Sequence, residues 1–364
     1  MNHVMDTFLS NITLIIAYMY IANKLKEFII LKTKKWLKLL WLTAIISSLL
    51  SIWVMHYPLQ AAGMRIDLRA IPIFFTSFLF GWKNGLITIL LPAWLRYEMG
   101  GPTVIQGIIQ SILLPFLIGS LFHRKKAVNP PFTMVHFNHM GAAFLIYELI
   151  KSISMLWTTP ATGATILFMC IFETIALLTI GLINNDVNRN LLTIKELEYQ
   201  SRHDYMTNLY NLRHFHSKVE DIIRKKIPFV IALFDVDYFK NYNDTHGHLA
   251  GDTVLRTVGQ LLMDSMREED VFARYGGEEF IVCFTNVTNV RQAAEIAERF
   301  RCLVETYPFQ GEEQQPNGSL TISMGLSTVS NHKSLRTLIE EADHALYLAK
   351  KAGRNTFKIY PDQD

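Results

Sequence analysis

Long apolar runs in the first half of the sequence constrain the fold more than any other feature. A helix that crosses a bilayer needs roughly 20 mostly apolar residues. Runs of about that length lie at 7–23, 38–56, 103–122, 133–156 and 163–183. A further stretch, 70–95, is interrupted at Trp82-Lys83-Asn84-Gly85. The sequence therefore predicts an all-α, polytopic membrane domain over residues 1–185.

Positive charge predicts how this domain is oriented, since basic loops favour the cytoplasmic side of a membrane. The first basic loop carries Lys24, Lys26, Lys32, Lys34, Lys35 and Lys38, and the second carries His123, Arg124, Lys125 and Lys126. Both loops and the second half of the chain face the cytoplasm only if 70–95 forms two short crossings or a re-entrant hairpin. We therefore predict a multi-pass plasma-membrane protein, embedded in the lipid bilayer, with its N-terminus outside.

Ionisable residues in the apolar half are candidates for detecting a signal. They are Arg65, Asp67 and Arg69 at the outer edge, and Glu148, Lys151 and Glu173 within apolar runs. Ionisable groups within a bilayer are costly and usually face a cavity or a partner. Two alternatives remain open: the outer charges only set the topology, or Glu148 and Lys151 simply pair one helical turn apart.

A cluster of short motifs in this half resembles the LytS-type five-transmembrane sensor module of bacterial histidine kinases and cyclases. It consists of Arg65, Asp67, Arg69, Pro72, Gly81, Gly85, Arg96, Gly100 and Gly101. The resemblance covers roughly residues 1–185 and implies a sensor without specifying its ligand.

A helical pattern continues over residues 186–203. Apolar residues recur there at spacings of three and four, at Val187, Leu191, Ile194 and Leu197. This spacing is typical of a short two-stranded coiled coil. The alternative is an amphipathic helix that packs on its own domain.

The rest of the chain, 204–361, has the charged composition of a soluble domain. Helical patterns at 208–226, 249–267, 289–306 and 334–351 alternate with strand-like segments at 229–234, 270–284 and 319–327. This alternation predicts an α/β arrangement that includes a hairpin. The net charge of +3 is too small to indicate a nucleic-acid partner. The three cysteines and the histidines show no ligand spacing, and we expect a structural role for His246 and His248.

Two motifs in the soluble half point to nucleotide chemistry. The buried strand ends in Asp235-Val236-Asp237, and carboxylates in such a position suit Mg²⁺, although a lone pair of this kind also caps strand ends. Gly276-Gly277-Glu278-Glu279 permits a tight turn and close approach of a phosphate. Adjacent acids repel each other unless a cation is near, which is unusual for a plain hairpin.

The combined pattern is similar to the GGDEF diguanylate cyclase family. The matching segments are FDVDYFKxxNDxxGHxxGD from Phe234, RYGGEEF from Arg274 and ADxALYxAKxxGRN from Ala342. The resemblance covers roughly residues 200–360 and implies an α/β (α+β) domain of the palm, or nucleotidyl-cyclase-like, type. It implies the condensation of two GTP molecules into cyclic di-GMP and two pyrophosphates, regulated by the membrane domain.

The resemblance also implies the roles of individual residues. Asp235, Glu278 and the carbonyl of Val236 would bind two Mg²⁺ ions per half-site, with Mn²⁺ as an alternative, and Glu278 and Glu279 would serve catalysis. Asn243 and Asp252 would bind guanine, while the glycine turn at Gly276 and Gly277 would approach the phosphates. Lys350 and Arg354, four apart on one predicted helix face, and Lys240 would bind phosphates. Glu279 should alternate to the other side of its strand and contact the metal less directly.

Arg267-Glu268-Glu269-Asp270 resembles the family's site for inhibition by the product. Arg267 would hold a guanine or phosphate of cyclic di-GMP, with Asp270 on the base and Arg299 or Arg301 as a second arginine. A charged turn is the alternative. Because each domain binds one GTP, the resemblance implies a homodimer. The rival hypothesis is a catalytically weak receptor for cyclic di-GMP or GTP.

Overall fold

The computed structural model describes residues 2–33, 37–61, 64–124, 132–316, 318–331 and 333–361. The chain divides into two compact units, Met1–Lys195 and Glu196–Asp364. Lys34, Lys35, Lys125 and Lys126 of the predicted basic loops lie outside the described residues.

The first unit is almost entirely helical. Its helices are α1 (Asn2–Thr33), α2 (Leu37–Met55), α3 (Ala70–Glu98), α4 (Val104–Ile108), α5 (Leu114–Leu121), α6 (Phe137–Thr158) and α7 (Gly163–Arg202), with a π-helical turn at Ile109–Leu113. A small antiparallel hairpin pairs β1 (Leu59–Ala61) with β2 (Met64–Ile66). Within the described ranges, five helical segments are long and apolar enough to cross a membrane, and a shorter apolar helix covers Trp41–Met55.

The interruption predicted within 70–95 is present as a sharp break in α3. Gly81 adopts φ +78° and separates two helical segments, 70–80 and 82–98. Ile73 and Ile89 belong to one buried cluster, although a straight helix would separate them by about 24 Å. The chain therefore turns back at Gly81.

His123 explains why the break needs glycine and how it is satisfied. A Cβ atom at Gly81 would lie 2.8 Å from His123 Cδ2, which leaves no room for a side chain. The His123 ring donates from Nδ1 to the Phe78 carbonyl oxygen at 3.0 Å. This bond gives the Phe78 carbonyl a side-chain donor next to the break, which matters in an apolar environment.

Two sequence-based boundaries differ in the structure. Lys24 and Lys26 were predicted in a loop but lie within α1, where an ion pair between Lys24 and Glu27 supports the additional turns. In α7, Val187 and Leu191 pack with Ile30 of α1, so the first part of the predicted linker packs on its own unit.

The second unit is a five-stranded sheet covered by helices on both faces. Its strands are β3 (Phe229–Val236), β4 (Val271–Gly276), β5 (Glu279–Thr285), β6 (Ile322–Leu326) and β7 (Phe357–Ile359), in the order β4-β5-β3-β6-β7. Its helices are α8 (Leu212–Arg224), α9 (Phe239–His246), α10 (His248–Ser265), α11 (Val290–Thr306) and α12 (Leu335–Lys351), with a 3₁₀ turn at Glu312–Gln314. The mixed sheet confirms the predicted α/β (α+β) class.

Alternation along the central strand β3 produces two cores. Val230 and Phe234 pack in the cluster that contains residues of α10 and α11. Ile231 and Leu233 face the opposite cluster, which contains residues of α8 and α12. With both faces covered, β3 is buried along its whole length, and its polar end reaches the edge of the core at Asp235.

Candidate active site

Three acidic residues lie near the end of the central strand. Asp235 in β3 lies directly opposite Glu279 in β5, so their side chains share one face of the sheet. The Val236 amide donates to the Glu278 carbonyl at 3.4 Å, which places the preceding turn beside the same strand end. The expectation that Glu279 turns away from the metal edge was wrong, because the register aligns it with Asp235.

Lys350 provides a positive charge to this acidic edge. Its Nζ lies 2.8 Å from Asp235 Oδ2. Burial raises the pKa of Asp235, and Lys350 only partly offsets that effect. Burial and then the charge of Asp235 raise the pKa values of both Glu278 and Glu279. The three acids therefore repel one another around a single ammonium group.

The donor atoms at this edge fit a hard divalent cation. In the described part of the chain, no group of three or more His, Cys, Asp or Glu side chains could hold a metal ion. The predicted set of Asp235, Glu278 and the Val236 carbonyl is smaller, and its oxygens are the ligands that Mg²⁺ prefers. The mutual repulsion of the acids supplies the electrostatic reason for a cation to bind there.

The glycine turn beside these acids is held by an arginine. Gly277 adopts φ +52°, and the space beside the Cα atoms of Gly276 and Gly277 is open. Arg274 donates to the Gly277 carbonyl from Nε at 3.0 Å and from Nη2 at 2.6 Å, and it also pairs with Asp204 at 3.4 Å. Sequence reasoning missed this role of Arg274, although its position two residues before the glycines was a usable signal.

The predicted guanine-binding residues surround the junction of α9 and α10. Asn243 has a buried Oδ1 without a hydrogen-bond partner in the structure. Gly251 makes room for Asn243, because a Cβ atom there would overlap Asn243 Oδ1. Asp252 follows on α10 and is partly exposed, and Lys240 is exposed in the first turn of α9.

Lys350 and Arg354 do not share a helix face, so that prediction was wrong. Helix α12 ends at Lys351, and Arg354 lies beyond it with a left-handed φ of +67°. The Arg354 guanidinium instead lies over the Tyr238 ring, 4.5 Å from its centroid. Both cations nevertheless act on the charge of Asp235, so they lie at the same end of the site.

The predicted product site is a separate polar cavity of about 310 Å³ lined by Arg267 and Arg299. Arg301 is engaged elsewhere, with Glu298 at 2.7 Å, which leaves Arg299 as the second arginine of this cavity. Asp270 does not line the cavity. Its carboxylate is buried and accepts from the amides of Thr285 and Arg267, so it holds the turn, and its contact with a base stays a prediction.

His246 has the expected structural role. Its ring packs 4.5 Å from that of Tyr242, and a Cβ atom at Gly311 would overlap it. His248 is exposed at the start of α10.

Charged residues near the two ends of α3 form a buried ion pair and a buried cap. Asp67 and Arg69 form an ion pair with 3% and 2% of their surface exposed. Arg96 is buried and donates to the carbonyls of Gly100 and Thr103 at 2.8 and 3.2 Å. Arg65 lies in β2 and is exposed.

The ionisable residues within the apolar helices also meet. Lys151 Nζ lies 2.8 Å from Glu148 on α6 and 2.9 Å from Glu173 on α7. Cys170 donates to Glu148 at 2.9 Å. The pairing of Glu148 with Lys151 is present, and Glu173 extends it into a three-residue cluster.

Comparison with known proteins associates each unit with a family. Residues 201–356 match the family model described as diguanylate cyclase, GGDEF domain, and residues 23–183 match the 5TMR of 5TMR-LYT. YhcK of Bacillus subtilis, an uncharacterized protein, is 29% identical over 95% of this chain and 96% of its own length. Diguanylate cyclase DosC of Escherichia coli is 35% identical over 49% of this chain, which covers only 40% of DosC.

A solved structure is similar to part of this chain. The coiled coil and GGDEF domain of DgcB from Caulobacter crescentus, in complex with c-di-GMP, is 27% identical. The match covers 48% of this chain and 93% of that chain, with a TM-score of 0.44.

Proposed function

We propose that this chain, a GGDEF-family diguanylate cyclase with a 5TMR-LYT membrane domain, condenses two GTP molecules into cyclic di-GMP and two pyrophosphates. The observation that carries the proposal is the acidic edge formed by Asp235, Glu278 and Glu279. Three mutually repelling carboxylates beside an open glycine turn favour a cation-bound triphosphate. Lys350 partly neutralises that edge through Asp235.

The metal edge would supply the charge needed for phosphoryl transfer. Asp235, Glu278 and the Val236 carbonyl would hold two Mg²⁺ ions, or Mn²⁺, which would neutralise the triphosphate and activate a 3′-hydroxyl. Asp235 and Glu278 hold these ligand positions from a buried strand and a fixed turn. Glu279 adds negative charge on the same face as Asp235 and favours cation binding.

The remaining residues would orient GTP. Asn243 would bind guanine, and Asp252 would accept from the base N1–H and amine. Asp235 would bind the metal in place of Lys350, which would leave Lys350 to bind phosphate together with Arg354. Lys240 adds a third, exposed cation.

The product requires two sites. Each domain binds one GTP, and cyclic di-GMP contains two equivalent phosphodiester bonds, so we propose a homodimer with two-fold symmetry. Residues 186–203 would connect the membrane domain to the cyclase and control how two domains approach. The Arg267 and Arg299 cavity would bind cyclic di-GMP as an inhibitor.

The second unit would lie in the cytoplasm, where GTP is available. The turn at Gly81 supports this orientation, because it gives 70–98 two antiparallel segments and returns the chain to the side from which it came. The membrane domain would then detect a signal and regulate the cyclase.

The test is GTP turnover by the full-length protein in membranes with Mg²⁺. We expect cyclic di-GMP from the parent protein, loss of product in Glu278→Ala, and unchanged product in the exposed control Glu220→Gln. Absence of product from the parent, or equal product from Glu278→Ala, would overturn the proposal. Binding of cyclic di-GMP without turnover would favour the receptor hypothesis instead.

A further inference from the structure

The turn that carries Arg354 has an unusual backbone. Gly353, Arg354 and Asn355 adopt consecutive φ values of +111°, +67° and +45°. Residues other than glycine rarely adopt this left-handed region, and such conformations persist only where surrounding contacts impose them. The contacts that impose this one therefore also fix where Arg354 lies.

Those contacts converge on Asn355. Its backbone amide donates to Asp237 Oδ2 at 3.0 Å, and its Nδ2 donates to Glu305 Oε1 at 2.7 Å. Its Oδ1 accepts from Arg301 Nη1 at 2.5 Å. Asn355 is thus held from two sides, by the end of β3 and by α11.

Asp237 is itself held in place by hydrogen bonds. It is 2% exposed, and its two carboxylate oxygens accept from the hydroxyls of Thr321 at 2.8 Å and Ser323 at 2.7 Å. The second acid of the Asp235-Val236-Asp237 motif therefore connects β3 and β6 to the Arg354 turn.

The α11 side is equally fixed. Arg301 pairs with Glu298 and Glu305, both at 2.7 Å. The hydrogen bond from Asn355, followed by those from Arg301, lowers the pKa of Glu305. Glu305 is therefore ionised at neutral pH and available as an acceptor.

We propose that Asn355 is a positioning residue that holds Arg354 at the phosphate end of the site, with Asp237, Arg301 and Glu305 as its supports. The inference rests on the proposed function, since it assigns Arg354 to the triphosphate of GTP. Asn355 acts only through Arg354. Its removal should therefore cost nothing further once the Arg354 guanidinium is absent.

A double-mutant cycle on the full-length protein in membranes tests this dependence. Asn355→Gly keeps the left-handed backbone but removes both side-chain hydrogen bonds, and we expect kcat/KM for GTP to fall about tenfold. Arg354→Ala should lower kcat/KM by about 10- to 100-fold, mainly through KM. The double variant should match Arg354→Ala within about twofold, the usual error of additivity. A further loss of about tenfold in the double variant would overturn the proposal.

Asn208→Gly is the matched control, because Asn208 is an exposed asparagine with φ +60°. This variant should retain the parental kcat/KM. A tenfold loss in Asn208→Gly would mean that the added backbone freedom of glycine is enough to explain the effect of Asn355→Gly. If Asn355→Gly fails to fold, Glu305→Leu takes its place in the cycle, with Glu305→Gln expected to restore activity. If the parent makes no cyclic di-GMP, the proposed function fails, and the same cycle measured as the Kd for GTP still decides whether Asn355 acts through Arg354.

Discussion

Both units of the chain place carboxylates around one lysine, but they differ in access to solvent. Lys151 is fully buried between Glu148 and Glu173, whose side chains are 9% and 1% exposed. Lys350 is 31% exposed and pairs with Asp235 at the end of a strand. The first cluster is enclosed by helices, whereas the second borders an open turn. The same residue types are therefore shielded from solvent in one unit and accessible to it in the other.

The physical basis is the cost of removing a charge from water. A buried ion whose partner is removed is left without compensation, which costs several kcal/mol. A partly exposed ion can regain solvent, so an exposed pair contributes little to stability. We therefore expect substitutions at Lys151 to lower the stability of the fold and substitutions at Lys350 to weaken the binding of GTP.

The largest expected effect is on the enclosed cluster. Lys151→Met leaves Glu148 and Glu173 buried without their cation and should lower the free energy of unfolding by about 3–5 kcal/mol. Thermal unfolding of the protein in detergent measures this loss. Adding Glu148→Gln and Glu173→Gln should restore most of it. An unchanged unfolding temperature in Lys151→Met would break the comparison.

At the open cluster, Asp235→Asn should abolish activity without loss of stability. It removes a proposed metal ligand and should lower kcat by at least about 100-fold, since loss of outer-shell partners alone costs 10–100-fold. It also removes one of three repelling acids, so the unfolding temperature should stay the same or rise. Turnover assays and thermal unfolding check both parts, with Glu220→Gln as the control. A lower unfolding temperature in Asp235→Asn would instead mean that Asp235 stabilises the fold.

Lys350→Met gives the direct counterpart of Lys151→Met. We expect KM for GTP to rise about tenfold through the loss of a charge-assisted phosphate contact. The unfolding temperature should change little, because the Lys350 side chain is partly exposed. Initial rates over a range of GTP concentrations measure the change. A loss of stability comparable to that of Lys151→Met would contradict the distinction between the clusters.

Glu341 is an intermediate case. Burial alone would raise its pKa, but hydrogen bonds from Lys333 and Thr328 outweigh burial and lower it. A carboxyl with a lowered pKa stabilises the folded state above its ordinary pKa and loses that contribution as pH falls through the lowered value. Glu341→Gln should therefore cost about 1 kcal/mol near neutral pH and nothing in acid. Urea unfolding of the parent protein and of Glu341→Gln, near neutral pH and in acid, tests this. A difference in unfolding free energy that does not depend on pH would indicate an effect on packing.

The sequence predicted most of the second unit because its signals are contiguous. Asp235 follows an apolar run, and Gly276 and Gly277 lie between two strand patterns, so strand ends and the hairpin turn could be located directly. Helix α9 was missed because it is short and begins after Tyr238, whose φ is +54°. The predicted helical spacing of Lys350 and Arg354 failed because the helix ends between them.

Relations between distant segments were beyond the sequence. Glu173 joins Lys151 across two helices, and no spacing rule applies over 22 positions. Asn355 meets Glu305 and Asp237 only after the sheet has formed. Likewise, Val187 and Leu191 have a coiled-coil spacing, yet α1 provides their partner. Periodicity indicates which face is apolar but not what covers it.

The reversal of direction at Gly81 bears on the side of the membrane on which every later residue lies. If the two segments on either side of Gly81 enter and leave the membrane on the same side, they leave the later part of the chain on that side. A straight α3, as Gly81→Leu would favour, would cross the membrane once. All later residues would then lie on the opposite side of the membrane. One helix-breaking residue near the outset would then decide whether the nucleotide unit ever encounters GTP.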